Sequence, residues 1–419
     1  MRQRDCKARH RFVNVPVLWL LIATNAAGFA ERAAVSGKVL RADGKPIEHV
    51  TVLVYEARIR RGYSVYCPTC WVDCGKRTLT NAEGEYSISG LNPDLVFKLL
   101  VVRNGYKPAF IEKVDPSKGP ANDAVLKPKA AAADPLQTVR GRVLDDHATP
   151  VRDAVVEQQG ITFRGGGRSF GPDDSPDWIQ PLAATDEQGQ FEITYGKPLT
   201  AITLNVSPRA MAPKLVTLPT GSEERTVTVT QGATLRGRLL EPDGTPARNA
   251  EIGVFVHNRM TGAVFQELRI GTKDDGTFAI TNLPAGRIWY VYPKMESLAA
   301  RGLVGDAVLI ETKDDGQEVN VGTIKLRTAY TLRGKVVLGD GNQIPPDMHV
   351  TLSSDAGFDS QIATLAQDGS FEFRGLSSGV YSIAPGVRGY RATADFSGEV
   401  LMDRDGKRIV ISMSPAVPR

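Results

Sequence analysis

Residues 235–246 read LRGRLLEPDGTP, and residues 272–283 read TKDDGTFAITNL. In the first stretch an apolar strand runs into Asp243-Gly244, a pair that tolerates the positive φ of a tight turn. The second stretch predicts another tight turn at Gly276, followed by a strand. Between such signatures, threonine and valine alternate with the period of two that a half-buried strand requires, as in residues 226–230. These stretches predict β-strands and turns, with little helix.

The two signatures occur four times along the chain. Glycines at the same place in the four openings are 104, 96 and 97 residues apart. This period is too long for a solenoid and fits a string of β-domains. The other openings are VSGKVLRADGKP (35–46), VRGRVLDDHATP (139–150) and LRGKVVLGDGNQIP (332–345), and the other second stretches are TNAEGEYSISGL (80–91), TDEQGQFEITYG (185–196) and LAQDGSFEFRGL (365–376).

The period predicts an all-β chain of four tandem immunoglobulin-like or transthyretin-like β-sandwich domains after an N-terminal signal peptide. A chain of 419 residues is long enough for four such cores. In the third unit we expect strands near 234–240, 250–257, 264–271, 277–281, 287–292, 306–310 and 318–326. The expected division is a signal peptide at 1–30, repeat 1 at 31–128, a linker at 129–135, repeat 2 at 136–231, repeat 3 at 232–328 and repeat 4 at 329–419.

The first thirty residues are ordered as in a secretory signal. Five basic residues between Arg2 and Arg11 precede an apolar stretch from Phe12 to Ala27, and small residues follow. We expect cleavage after Ala30 and export to the periplasm, the cell surface or the medium. The alternative is an uncleaved single-span anchor, and a membrane is an expected partner only in that case.

Charge excludes one class of partner. The formal net charge of +4 resides in the signal segment, and without that segment basic and acidic residues balance. No basic field remains to attract nucleic acid, so we expect no nucleic-acid partner. The expected partner is an unidentified glycan or protein of the cell envelope.

The repeat resembles a known family. A strand ending in G-x-V, a D-G-x-P turn and then T-x-x-x-G-x-[FY] closed by Leu91, Leu283 or Leu376 resembles the carboxypeptidase regulatory-like domain family. Repeat 2 departs from this pattern, because it has Asp145-Asp146-His147 in place of the Asp-Gly turn. The resemblance implies transthyretin-like sandwiches, also described as carbohydrate-binding-like. It also implies a helper role, since such domains accompany exported peptidases, outer-membrane receptors and surface proteins.

Catalytic signatures are absent from the sequence. The histidines after the signal lack a Glu or His at zinc-ligand spacing, and there is no G-x-S-x-G elbow or phosphate-binding loop. We therefore expect no enzyme activity, no cofactor and no metal site. The predicted function is that of an exported binding or structural module at the cell envelope, with carbohydrate as one candidate ligand. The alternative is an accessory chain of an exported peptidase or envelope receptor.

Three cysteines follow the signal, all within YCPTCWVDCGK at 66–76. In an oxidising compartment two of the three should pair and one thiol should remain. Cys67 with Cys74 leaves the most room for unstrained geometry and is the predicted disulfide. A metal site or a redox centre are the alternatives.

Two long loops, 57–77 and 160–182, are the predicted recognition elements. Long loops on a rigid β-scaffold can vary freely, and they are where binding residues concentrate. Aromatic faces stack on sugars or peptide side chains, and arginine adds planar hydrogen-bond donors. The alternative is that the two tryptophans cap their own sandwiches. The candidate ligand contacts are Tyr63, Tyr66, Trp71, Phe163, Arg168, Phe170 and Trp178.

Overall fold

The structure is a computed structural model of the chain. We number its four units in chain order as 32–129, 138–231, 232–328 and 329–416. The signal segment lies outside the residues that the structure describes. The described residues are 32–60, 71, 73–119, 122–129, 138–163, 165, 167–170, 182–194, 199–221, 223–257, 268–354 and 359–416.

The first unit is a sandwich of two sheets, of strand order β4-β1-β7 and β3-β2-β5-β6. A 3-10 turn at Pro116–Lys118 precedes its last strand. The strands are β1 (Ala33–Arg41), β2 (Thr51–Ile59), β3 (Arg77–Leu79), β4 (Glu85–Leu91), β5 (Leu95–Val102), β6 (Ala109–Val114) and β7 (Ala124–Leu126).

The second unit repeats this plan, with sheets of order β12-β8-β15 and β10-β9-β13-β14, and with β11 pairing β9. Its strands are β8 (Thr138–Leu144), β9 (Val155–Phe163), β10 (Arg168–Phe170), β11 (Leu182–Ala184), β12 (Gln190–Thr194), β13 (Leu199–Ser207), β14 (Lys214–Pro219) and β15 (Glu224–Thr228).

The third unit has sheets of order β19-β16-β23 and β18-β17-β20-β22, and β21 pairs β24 beside them. It also contains a short helix, α1 (Met295–Ala299), which the sequence did not predict. The predicted strands are confirmed to within a few residues wherever the structure describes them. The strands are β16 (Ala233–Leu240), β17 (Glu251–Val256), β18 (Leu268–Gly271), β19 (Thr277–Leu283), β20 (Arg287–Pro293), β21 (Leu303–Val304), β22 (Val308–Thr312), β23 (Glu318–Lys325) and β24 (Arg327–Thr328).

The fourth unit packs two four-stranded sheets, of order β28-β25-β32-β30 and β27-β26-β29-β31. Its strands are β25 (Tyr330–Leu338), β26 (His349–Ser354), β27 (Ser360–Thr364), β28 (Ser370–Leu376), β29 (Gly379–Gly386), β30 (Tyr390–Ala392), β31 (Glu399–Met402) and β32 (Lys407–Pro415).

The same pairing closes every unit. The first strand lies antiparallel to the strand of the second signature and parallel to the last strand of its own sheet, as β16 does with β19 and β23. Each unit has its own buried apolar cluster between its two sheets. The predicted tandem β-sandwich fold is therefore confirmed.

The signature turns have a steric reason. Gly276 has a φ of 76°, and its carbonyl oxygen accepts a hydrogen bond from Leu239 N–H at 2.8 Å. A Cβ at this position would overlap the carbonyl oxygen of Leu239. Only glycine combines this backbone conformation with so close an approach. Gly189 and Gly369 have the same geometry, which confirms the predicted turns.

The threonine of the second signature forms side-chain hydrogen bonds to the loop that follows the first signature. Thr272 Oγ1 accepts a hydrogen bond from Ala250 N–H at 3.0 Å and donates one to the Ala247 carbonyl at 2.6 Å. Thr80 and Thr185 make the same pair of bonds in the first and second units. A buried hydroxyl that satisfies two backbone groups explains the recurrence of threonine here.

Candidate functional site

The structure describes four of the seven candidate ligand contacts. Trp71 is half-buried and packs against the core of the first unit, and Phe163 packs against the core of the second. Arg168 is exposed in β10, where Phe170 pairs with Gly160 through the backbone. Because Trp71 and Phe163 contact their own sandwiches, a role for these rings in ligand binding stays a prediction. Tyr63, Tyr66 and Trp178 lie outside the described residues.

Cys74 is buried at the end of the first long loop. Its N–H donates a hydrogen bond to the Trp71 carbonyl at 2.9 Å. Burial raises the pKa of the Cys74 thiol to about 12. Such a thiol is a poor nucleophile at neutral pH, which disfavours redox activity at this residue. Cys67 lies outside the described residues, so the disulfide stays a prediction.

An aromatic pair stands on the outer face of the first unit, on the sheet that carries both ends of this loop. The ring centroids of Tyr55 in β2 and Phe110 in β6 are 5.3 Å apart, with the planes tilted by 52°. Phe110 is 40% exposed. Tyr55 lies at a bulge, because Val54 pairs with Leu99 while the pairing resumes only at Glu56. Bulges redirect side chains and are frequent beside functional sites.

A lysine and two carboxylates surround this pair. Lys98 Nζ lies 4.4 Å from the centroid of the Phe110 ring, a cation–π distance. The same ammonium is 3.2 Å from Glu112 Oε1 and 3.9 Å from Glu56 Oε1. We call Tyr55, Lys98 and Phe110 the outer-sheet patch. It offers an apolar ring face for stacking, with hydrogen-bond acceptors and a donor at its rim.

The outer-sheet patch borders a buried junction between the first two units. Three apolar residues of the first unit pack against three of the second, and Tyr55 packs against the same cluster. The first two units therefore contact each other directly. The cluster contains Leu53, Leu100 and Val102 from the first unit, and Val155, Leu182 and Ala184 from the second.

Arg77 adds hydrogen bonds to this junction. Its guanidinium donates to the carbonyl oxygens of Ser207 at 2.9 Å and Pro208 at 2.5 Å. Burial, together with the nearby Arg209, lowers the pKa of Arg77 to about 10. The cation is thus held by backbone carbonyls of the second unit, which fixes the orientation of the sheet that carries the patch.

The second and third units also contact each other directly. Asn282 Nδ2 donates to the carbonyl oxygens of Ala210 at 2.9 Å and Gln231 at 3.0 Å. Arg32 of the first unit reaches the third, 3.4 Å from Glu251 Oε1. The first three units are therefore linked to one another.

The helix α1 joins the third and fourth units. Leu298 belongs to the core of the third unit, whereas Met295 belongs to that of the fourth. Lys294 Nζ lies 2.9 Å from Asp359 Oδ1, and both side chains are buried. Met295 N–H donates to Asp359 Oδ2 at 2.8 Å. A buried ion pair and a shared apolar contact thus fix this junction.

Among the described residues, one group of side chains has the spacing of metal ligands: Asp145, Asp146 and His147. Asp145 Oδ1 accepts hydrogen bonds from the N–H groups of His147 and Thr149, at 2.9 and 2.7 Å. These are the bonds of an ordinary polar turn. The group replaces the Asp-Gly turn of the other units, and turn formation accounts for it.

The outer-sheet patch was not predicted from the sequence. Recognition was expected in loops, whereas Tyr55 and Phe110 lie within strands. The alternation FIEKV at 110–114, which puts Phe110 and Glu112 on one face, was the available signal. The bulge that redirects Tyr55 has no signature in the sequence.

Comparisons with known proteins yield structures but no family. No family model and no curated protein matches the chain. Three solved structures are similar. A streptococcal ancillary pilin has 14% sequence identity, and the match covers 67% of this chain and 100% of the pilin with a TM-score of 0.23. The Bacillus anthracis TIE protein has 13% identity, with 92% of this chain and 74% of that protein covered and a TM-score of 0.20. The major pilin RrgB of Streptococcus pneumoniae has 12% identity, with 92% of this chain and 100% of the pilin covered and a TM-score of 0.16. At such low sequence identities and TM-scores, the matched proteins do not indicate what this chain binds.

Among the described residues, no helix has the length and apolar character needed to cross a membrane.

Proposed function

We propose that the chain is an exported, non-enzymatic binding and structural module of the cell envelope. In this proposal the four sandwiches hold one another in place, and the first unit presents the outer-sheet patch to an envelope ligand. The observation that carries the proposal is the position of the Tyr55–Phe110 pair, in which Phe110 is exposed to solvent while Tyr55 packs against a buried junction. A rigid support reduces the ordering cost of binding.

Export is supported by the order of basic, apolar and small residues in the N-terminal segment. Membership of the carboxypeptidase regulatory-like family is supported by the four repeated signatures and is part of the same proposal. A neutral sugar is one candidate ligand. The Phe110 side chain can stack on the sugar ring, while the carboxylates of Glu56 and Glu112 accept hydrogen bonds from the sugar hydroxyls.

The test is retention of envelope polysaccharide and envelope protein fractions by the immobilised mature chain, residues 31–419. We expect Phe110→Ala to weaken retention by about tenfold, because an aromatic contact at a binding site contributes on the order of 1–2 kcal/mol. Leu309→Ala is the matched control. Leu309 is 53% exposed and lies on β22, the strand of the third unit that corresponds to β6.

Equal retention of both variants and the unchanged chain would place recognition elsewhere. If the chain retains a peptidase or receptor, and both variants retain it equally, the result would favour the alternative of an accessory chain of that peptidase or receptor. No retention of either fraction would refute the proposal.

A further inference from the structure

One face of the fourth unit differs from the rest of the surface. In the sheet β28-β25-β32-β30, strand residues alternate between the core and the outside. Glu372 is the one acidic side chain among the outward strand residues of this sheet, all of which the structure describes. We call its outward basic and large apolar residues the cationic face: Arg333, Lys335, Val337, Arg374, Arg391, Arg408 and Val410.

This excess of positive charge is local. Residues 329–419 contain nine Lys and Arg and ten Asp and Glu, so the unit as a whole is not basic. The acids beside the face lie in turns, where their own neighbours engage them. The carboxylate of Asp368 accepts hydrogen bonds from Ser370. The carboxylate of Asp340 accepts hydrogen bonds from Asn342 and Tyr390. The carboxylate of Asp405 accepts one from Thr331 N–H. The charges are therefore segregated, with cations on the sheet and acids in the turns.

Within the face, one carboxylate forms ion pairs with two arginines. An oxygen of Glu372 lies 2.8 Å from Arg333, and the other oxygen pairs with Arg374. Arg408 lies directly opposite Arg333 on the neighbouring parallel strand. Like charges at facing positions repel each other. Among the described residues, Arg408, Lys335 and Arg391 form no ion pair, although Asp368 interacts electrostatically with Lys335 from its turn. Counter-charge on this face is therefore sparse.

Exposed apolar side chains lie among these cations. Val410, 67% exposed, pairs with Lys335 and follows Arg408 by two positions on the same face. Val337 is also exposed. The corresponding face of the third unit is different, because Arg236 there forms two hydrogen bonds to Glu318 and the outward strand positions carry no exposed large apolar residue.

We propose that the cationic face binds an acidic polysaccharide. Guanidinium groups pair with carboxylates in planar geometry, and the valines contact the C–H faces of the sugar rings. Polyphosphate would satisfy the cations, but its backbone has no C–H groups that could contact the valines. This site goes beyond the proposed function of the first unit and does not depend on it. It would give the chain a second attachment point to the envelope.

The experiment measures binding of a polygalacturonate oligomer to the mature chain at low and at physiological salt. We expect Lys335→Gln/Arg408→Gln to weaken binding by about tenfold, since two charged contacts are lost, and to reduce its salt dependence. Val410→Thr should weaken binding a few-fold with unchanged salt dependence. The matched control is Arg238→Gln/Lys325→Gln on the corresponding face of the third unit, and it should bind as the unchanged chain does.

Three results would overturn the proposal. These are no binding of polygalacturonate, equal loss in the two double variants, or binding of polyphosphate as tight as that of polygalacturonate with no effect of Val410→Thr. Thermal unfolding of each variant confirms that the fourth unit remains folded. Retention of envelope fractions through Phe110 is measured separately, so either site can fail alone.

Discussion

The ring of Phe278 lies directly over the backbone of Gly237, its partner across the β16–β19 pair. A Cβ on residue 237 would overlap the ring carbons of Phe278. The same contact joins Gly141 to Phe191 and Gly334 to Phe371. The glycine of the first signature and the aromatic residue of the second therefore form one structural unit, which explains why the two signatures occur together.

We expect Gly237→Ala to destabilise the third unit by about 1–3 kcal/mol, the usual cost of overpacking a core. The measurement is denaturant unfolding of the mature chain. Gly271→Ala is the matched control, because a Cβ there meets nothing within 4 Å. The double variant Gly237→Ala/Phe278→Leu should recover part of the loss. Equal stability of the two single variants would contradict the contact.

The strands and turns were predictable because the residues that determine them are neighbours in sequence. Phe191, Phe278 and Phe371 alternate with polar or small residues in the strands of the second signature, and all three are buried. The junctions were not predictable. Lys294 and Asp359 each look like a surface charge in the sequence, and only the packing of two units buries them together. Sequence does not show the packing of single aromatic rings either. Trp71 and Phe163 contact their own cores, and their role as ligand contacts stays a prediction.

We expect Thr272→Val to destabilise the third unit by about 1–3 kcal/mol. The substitution keeps the shape of the side chain but leaves the Ala250 N–H and the Ala247 carbonyl buried without their partner. Thr323→Val, at an exposed position of β23, is the control and should change little. The readout is the midpoint of denaturant unfolding. A shift no larger than that of Thr323→Val would show that the hydroxyl is dispensable.

His349 should make the fourth unit sensitive to mild acid. The ring is buried against Gly386, and this burial lowers the pKa of the imidazole below its ordinary value of 6.5. The unfolded chain therefore binds a proton more readily than the folded chain. The free energy of unfolding is unaffected above pH 6.5, and it falls as the pH drops from there toward the folded pKa.

The measurement is the free energy of unfolding of the unchanged chain and of His349→Gln across this range. We expect the free energy of unfolding of His349→Gln to fall less with decreasing pH than that of the unchanged chain. His49→Gln, which alters an exposed histidine, should retain it. Identical pH dependence in the unchanged chain and in His349→Gln would refute the prediction.

The buried pair Lys294–Asp359 should couple the third and fourth units. Lys294→Met removes the cation and leaves a buried carboxylate without that partner, which typically costs about 3–5 kcal/mol. In the double variant Lys294→Met/Asp359→Asn the amide oxygen still accepts from Met295 N–H, and no buried charge remains. We therefore expect the double variant to be more stable than Lys294→Met alone.

The control for this prediction is Arg327→Met, which breaks the exposed pair with Asp306 and should cost at most about 1 kcal/mol. Differential scanning calorimetry distinguishes the two effects. In the unchanged chain the third and fourth units should unfold in one transition, because Met295 belongs to the core of the fourth unit while Leu298 belongs to that of the third. In Lys294→Met the transition should split, with the fourth unit melting first. If Lys294→Met is as mild as Arg327→Met and the transition stays single, the apolar contacts of α1 alone hold the junction.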